Sequence, residues 1–314
     1  MLLHLCVTAL LASLQAGALD RPVASGFSPN DAASGFSRKQ ETDVNGLLET
    51  DRTFSRMARG KPAVDAISAM FADDVTVPAP GNVFAQGQAK AIEALKANPD
   101  NLTARVEWAP IRGGISADGT HGFTFGFMTQ TKADGTKVLL KYLAYWVKGP
   151  AGWRVAAYRR RPRPDGPVST AMMAPSMPRR MQPPTKEAAV IQEHASSLAA
   201  AEKAFSDEAQ KIGIGAAFAR NGRDDAVNMG GPKAVGFVVG AEAIGRAVGE
   251  GSPTDRSEVE WSADRVLVAS TGDLGITFGM IRFHKPQEGQ PAAVPFFTIW
   301  RRDDPSQPWR YIAE

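Results

Sequence analysis

The chain is 314 residues long, 43% hydrophobic and 22% charged, with a formal net charge of only +3. This composition suits two ordinary globular domains with real cores and excludes an intrinsically disordered polymer. With so small an excess and no basic face gathered in one domain, nucleic acid is excluded as an expected partner.

In chain order, the first element is a targeting segment. MLLHLCVTALLASLQAGA is apolar, too short for a comfortable membrane span, and closes on the small residues Ala16-Gly17-Ala18. It predicts a signal peptide over 1–18, hence a periplasmic or secreted protein with no membrane contact after cleavage. The only cysteine, Cys6, lies within it. The mature chain would then lack disulfides, thiol nucleophiles and Cys-ligated zinc. Residues 19–40 are rich in Ser, Gly, Pro and Asn without helical or strand period, and predict a flexible leader.

Leu47, Leu48, Phe54 and Met57 share one stripe of a first helix. Val64, Ile67, Ser68 and Phe71 recur at i, i+3, i+4 and i+7, predicting a second short helix with Pro62 near its start. A third covers about 89–97. From Thr103 the period becomes two, with Asp118-Gly119, Asp134-Gly135 and GPAG (149–152) as turns, so a four-stranded antiparallel meander follows. Its strands are apolar on both faces: Phe123, Phe125 and Phe127 alternate with Thr124, Gly126 and Met128, so something must cover each face. Residues 162–189 then carry prolines and arginines in a pattern that predicts a solvated, semi-rigid linker.

The remainder repeats what came before. VEWAPIRGGISADGTHGFTFG (106–126) returns as VEWSADRVLVASTGDLGITFG (259–279), and DRTFS (51–55) returns as EKAFS (202–206). FAQGQAKAIEAL (84–95) matches FVVGAEAIGRAV (237–248). The six tryptophans fall into three pairs: Trp108 with Trp261, Trp146 with Trp300, and Trp153 with Trp309. The chain is an internal duplication, copy 1 over 41–161 and copy 2 over 190–314, each an α+β domain of two or three helices on an antiparallel sheet.

FADDV (71–75), GFTFG (122–126), YLAYW (142–146) and WRVAAY (153–158), with GDLGITFG (272–279), FFTIW (296–300) and WRYIAE (309–314), resemble the nuclear transport factor 2-like superfamily, which includes ketosteroid isomerase and SnoaL-like cyclases. The resemblance covers nearly all of both halves. It implies two cone-shaped domains whose curved sheets pair, making the chain an intramolecular pseudo-dimer and a monomer. It specifies the fold better than the function, because the superfamily hosts enzymes, binders and assembly modules.

Isomerase-like members use a carboxylate base facing a hydrogen-bond donor. Copy 1 offers Asp73 and Asp74 as candidate bases and Tyr142 and Tyr145 as candidate donors, with His121 nearby. Tyr142 shares strand parity with Trp146, so both are expected on one face. Phe54, Phe125 and Trp146 are expected to line the first cone, and Phe205, Phe278 and Trp300 the second, where Arg282 could meet an acidic ligand. Copy 2 has Phe296 and Ile299 in place of both tyrosines, so at most one cone is expected to keep a polar site. The histidines have no metal-ligand spacing and the glycines no phosphate-loop pattern, so no metal and no cofactor is expected. Three functions follow: binding of a small apolar or weakly acidic molecule without turnover; an isomerase, dehydratase or cyclase acting in copy 1; or an assembly module with filled cones.

Overall fold

Alternation of apolar and small residues through 105–162 forces extended strands whose two faces both need cover, and the architecture supplies it. A computed structural model describes residues 30–178 and 183–314, with side chains from residue 43 onward. The expected signal peptide and most of the expected leader lie outside the described residues. Helix α1 spans Asn30–Met57, beginning inside the stretch expected as leader.

Copy 1 continues with α2 (Ala63–Ser68), β1 (Phe71–Ala79), β2 (Val83–Gln86), α3 (Gln88–Lys96), β3 (Arg105–Ile115), β4 (His121–Thr131), β5 (Lys137–Gly149) and β6 (Gly152–Pro162). Copy 2 has α4 (Ala188–Ile212), α5 (Ile214–Asn221), β7 (Gly222–Asn228), β8 (Val238–Val239), α6 (Ala241–Gly249), β9 (Val259–Val268), β10 (Leu274–Phe283), β11 (Ala293–Arg301) and β12 (Arg310–Ala313). The sheet orders are β2-β1-β6-β5-β4-β3 and β8-β7-β12-β11-β10-β9, so the two halves share one topology. Each sheet therefore has six strands where the sequence predicts four. The expected meander is present, but FADDVTV adds to it as a strand parallel to β6, and GRDDAVN does the same beside β12.

The repeated TFG motif has a reason at each position. The hydroxyls of Thr124 and Thr277 are buried on the helix side. Phe125 and Phe278 point the other way, into the apolar cluster that the two sheets share. Gly126 and Gly279 sit at β-bulges. There, a Cβ would overlap the carbonyl oxygens of Ala109 and Ser262 respectively, so only glycine lets the neighbouring strand approach.

The same parity decides the tyrosines. Tyr142 faces the helices of copy 1 with Trp146. Tyr145, three residues on, joins Phe123, Leu143, Ile276 and Ile299 between the sheets. Polar contacts surround that apolar layer. Arg112 pairs with Asp225 at 2.5 Å, and Asp118 accepts from Ser270.

Residues 173–177 correct the reading of 162–189 as a solvated linker. Ser176 is buried and pairs alongside Gly114 at the edge of β3. Arg301 binds it from copy 2: Nε donates to Ser176 Oγ at 2.8 Å, Nη2 donates to Ile115 O at 2.8 Å, and Nη1 meets Asp273 at 3.1 Å. One guanidinium thus ties strand, linker and second copy together. Arg301→Ala would leave Asp273 buried without its counter-charge and should cost about 3–5 kcal/mol of unfolding free energy. A urea midpoint unchanged from wild type would contradict this.

Candidate functional site

Each first helix carries an acid on its apolar stripe. Asp51 follows Leu47 by four residues and precedes Phe54 by three; Glu202 stands in the same relation to Leu198 and Phe205. Both carboxyls are wholly buried, so each needs hydrogen bonds from the sheet. Asp51 accepts from Trp108 Nε1 at 2.6 Å and from the Tyr142 hydroxyl at 2.8 Å. Glu202 accepts from Trp261 Nε1 at 2.7 Å, Thr277 Oγ1 at 2.5 Å and Trp300 Nε1 at 3.0 Å. In copy 1 the corresponding Trp146 Nε1 donates to Thr124 Oγ1 at 2.8 Å. The duplication therefore repeats an acid clasped by indole and hydroxyl groups as well as a fold.

Burial outweighs these bonds. Asp51 is raised above the ordinary carboxylate range, and Glu202 is raised to about 7. Burial also lifts Tyr142 well above the usual phenol value, with the Asp51 charge adding to it.

The cones differ in what fills them. In copy 1, Leu95, Leu140, Tyr142 and Tyr158 belong to one packed cluster, and the pocket beside Leu95 and Tyr158 is only about 260 Å³. The matched residues of copy 2 are Val248, Val294, Phe296 and Glu314, each smaller. A cavity of about 580 Å³ opens beside them, within the range of small-molecule sites. Phe205, Phe218, Ile244, Val248, Trp261 and Phe296 supply its apolar wall. Gly245 on α6 permits that wall to close, since a Cβ there would press on Gly215 of α5.

The polar groups gather at one end. Glu314 lines the cavity, with Thr298 Oγ1 donating to it at 3.2 Å and Asn228 Nδ2 at 3.0 Å. Burial first, then the nearby Glu202 charge, pushes its carboxyl up to about 8. Arg159 and Arg161 of copy 1 reach the same cavity. Burial lowers Arg159 to about 10.

The sequence candidates land differently. Asp73 and Asp74 lie exposed on β1, and Asp74 pairs at 3.4 Å with Arg265 of copy 2. They mark the rim between copies rather than an apolar pocket, which corrects their assignment as bases. Tyr142 meets a buried acid, but that acid is Asp51. Tyr145 lies between the sheets, bonded to His121 Nδ1 at 2.9 Å; burial drives that imidazole down to about 4, so it is neutral.

Among the expected pocket residues, Phe205 lines the cavity. Trp300 stands behind it, 6.1 Å between centroids. Phe54 packs on Trp146 in the filled cone. Phe125 and Phe278 belong to the layer between sheets, and Arg282 is exposed and away from the cavity. Missed were Asp51, Glu202, Glu314 and Arg159. The first two were visible as acids at matched positions of an apolar stripe. Among the described residues no three His, Cys, Asp or Glu side chains group as a metal site, and no helix is long and apolar enough to cross a membrane.

No protein-family model matches the chain, and none of the curated proteins does. Solved structures do match. A ketosteroid isomerase-like protein from Erwinia carotovora atroseptica is 19% identical, covering 37% of this chain and 94% of its own, with a TM-score of 0.30. A nuclear transport factor 2-like protein with a cystatin-like fold from Novosphingobium aromaticivorans is 15% identical, covering 42% and 86%, with a TM-score of 0.29. An epoxide hydrolase/cyclase-like enzyme of pyran ring formation in polyether salinomycin is 21% identical, covering 40% and 92%, with a TM-score of 0.28. Each covers about two fifths of this chain. The common architecture of the two halves rests on their strand order and register.

The raised carboxyls give a pH test with a definite sign. Folded Glu202 and Glu314 keep protons that the unfolded chain releases near 4.5. Their contribution to stability is complete below that pH and is lost as pH rises towards about 7 and about 8. Above about pH 6.5, where His121 is neutral in the folded and unfolded chain alike, the melting temperature should fall by about 5 °C up to roughly pH 8.5, and Glu202→Gln should flatten the earlier part of that fall. Asp74→Asn, at the exposed rim, should stay within about 0.5 kcal/mol of wild type.

Proposed function

We propose that the protein is an exported, pseudo-dimeric monomer that binds a small, largely apolar or weakly acidic molecule in the cone of copy 2, without turnover. The observation that carries this reading is the 580 Å³ cavity, lined mostly by apolar side chains with Arg159, Arg161 and Glu314 among them. Its walls offer contact area, and only a few groups could fix a ligand's orientation, as in binding sites generally. Export is supported by the apolar segment ending at Ala16-Gly17-Ala18.

A second reading has one observation in its favour. Glu314 is a carboxyl of raised proton affinity on a cavity wall, a situation suited to proton transfer. If the chain is an isomerase or cyclase, Glu314 is its best-placed acid or base and copy 2 its active half. Copy 1, with the smaller pocket, serves support in either case.

Filling the cavity separates these ideas from mere packing. Ala247→Trp and Val248→Trp should each abolish binding of an amphiphilic anionic fluorescent probe such as anilinonaphthalene sulfonate while the circular dichroism spectrum stays native. Probe binding that survives both would place the site elsewhere. Glu314→Gln should leave binding within about threefold under the binding reading, since the carboxyl is largely neutral already.

A further inference from the structure

Resting on that reading of the cavity, we infer that its ligand is an amphiphilic monocarboxylate whose carboxylate is taken by Arg159, a residue of copy 1, so that the site in copy 2 is completed by the other copy.

Strand parity sends Arg159 across. Tyr158 points into the filled cone of copy 1, and its neighbour on β6 therefore points towards copy 2. The guanidinium lies over the Phe297 ring at 5.7 Å and reaches the cavity wall. A guanidinium carries five N–H donors in a planar fork. Among the described residues Arg159 makes one hydrogen bond, at 3.4 Å to the carbonyl of Pro295, and no ion pair. A half-buried guanidinium with one long bond, facing a Glu314 carboxyl that burial holds towards its protonated form, keeps fork donors for an incoming anion.

Its neighbours reinforce the sign. Arg161, two residues on along the same strand face, also lines the cavity and donates to Gly230 O at 3.0 Å. Lys141, paired in register with Arg161, caps the carbonyls of Ala234 and Gly236. Neither meets a carboxylate among the described residues. The one acid on the wall, Glu314, feels the Arg159 charge, but burial and the Glu202 charge outweigh it and hold the carboxyl towards its neutral form, in which it can donate to an incoming anion.

The cavity thus has an apolar body and a cationic end beside a neutral carboxyl. A single carboxylate fits that end: its two oxygens match the guanidinium fork, and Glu314 can share a proton with one of them. A cationic head would meet Arg159 directly.

The test uses the full chain at neutral pH and calorimetric titration with decanoate, decanol and decylamine, and with the aromatic pair naphthylacetate and naphthylethanol. The carboxylate of at least one series should bind wild type about tenfold or more tighter than its alcohol, the advantage of a charge-assisted bond. Arg159→Gln should erase that preference while alcohol binding persists, and Arg159→Lys should restore part of it. Alcohol and acid binding equally, decylamine binding best, or a preference untouched in Arg159→Gln would overturn the inference and leave the cavity reading standing. If no compound binds, both fall together. The head-group comparison on wild type holds whatever the stability of the variants.

Discussion

A buried acid held between a helix and a sheet is the constraint on which each half of this protein depends. Asp51 and Glu202 lie on the apolar stripes of α1 and α4, where an unsatisfied carboxyl would be prohibitive. Each is tolerated because the sheet offers indole and hydroxyl donors at matching positions: Trp108 and Tyr142 in one copy, Trp261, Thr277 and Trp300 in the other. Those donors can reach only if the strands keep their register. The bulges at Gly126 and Gly279 set that register beside them. The acid therefore specifies how helix and sheet meet more than it adds to net stability.

With the helix side so defined, the opposite face of each sheet is left apolar, and the two sheets answer one another with Phe123, Phe125, Phe278 and Phe297 in a shared cluster. The copies have since diverged in what surrounds that common plan. Copy 1 keeps Tyr158 and Leu140 in a packed cluster with a pocket of about 260 Å³ beside Tyr158; copy 2 has Glu314 and Val294 and a cavity of about 580 Å³. Loss of side-chain volume in one half opens the site, while the other half lends it Arg159 and Arg161. This division of labour gives a reason for keeping both copies in one chain.

Much of the plan was legible in the residues. Periodicity marked the strands of the meander, and the tryptophan pairs marked the duplication. Strands β1 and β7 lie outside the expected meander because the adjacent acids of FADDVTV and GRDDAVN interrupt a strand's alternation; pairing with β6 and β12 overrides that local signal. The docking of Ser176 was hidden for a similar reason, since one edge contact leaves no period in a proline-rich segment. The candidate site fared worse. Asp73 and Asp74 drew attention as a pair, yet paired exposed acids are what a rim presents. Asp51 and Glu202 were written into DRTFS and EKAFS, where they served as markers of repetition. The cavity itself has no motif, because it arises from a difference between copies and from a side chain crossing from one to the other.

The most direct test is native mass spectrometry of the chain purified gently from its own source, compared with its Ala247→Trp variant. The account predicts a monomer carrying a reproducible small-molecule mass in the wild type and none in the variant, with the released compound containing one carboxyl group. Wild type and filled variant each at its own bare mass without an adduct, or an adduct retained equally by both, would contradict the claim that the second cone is the site.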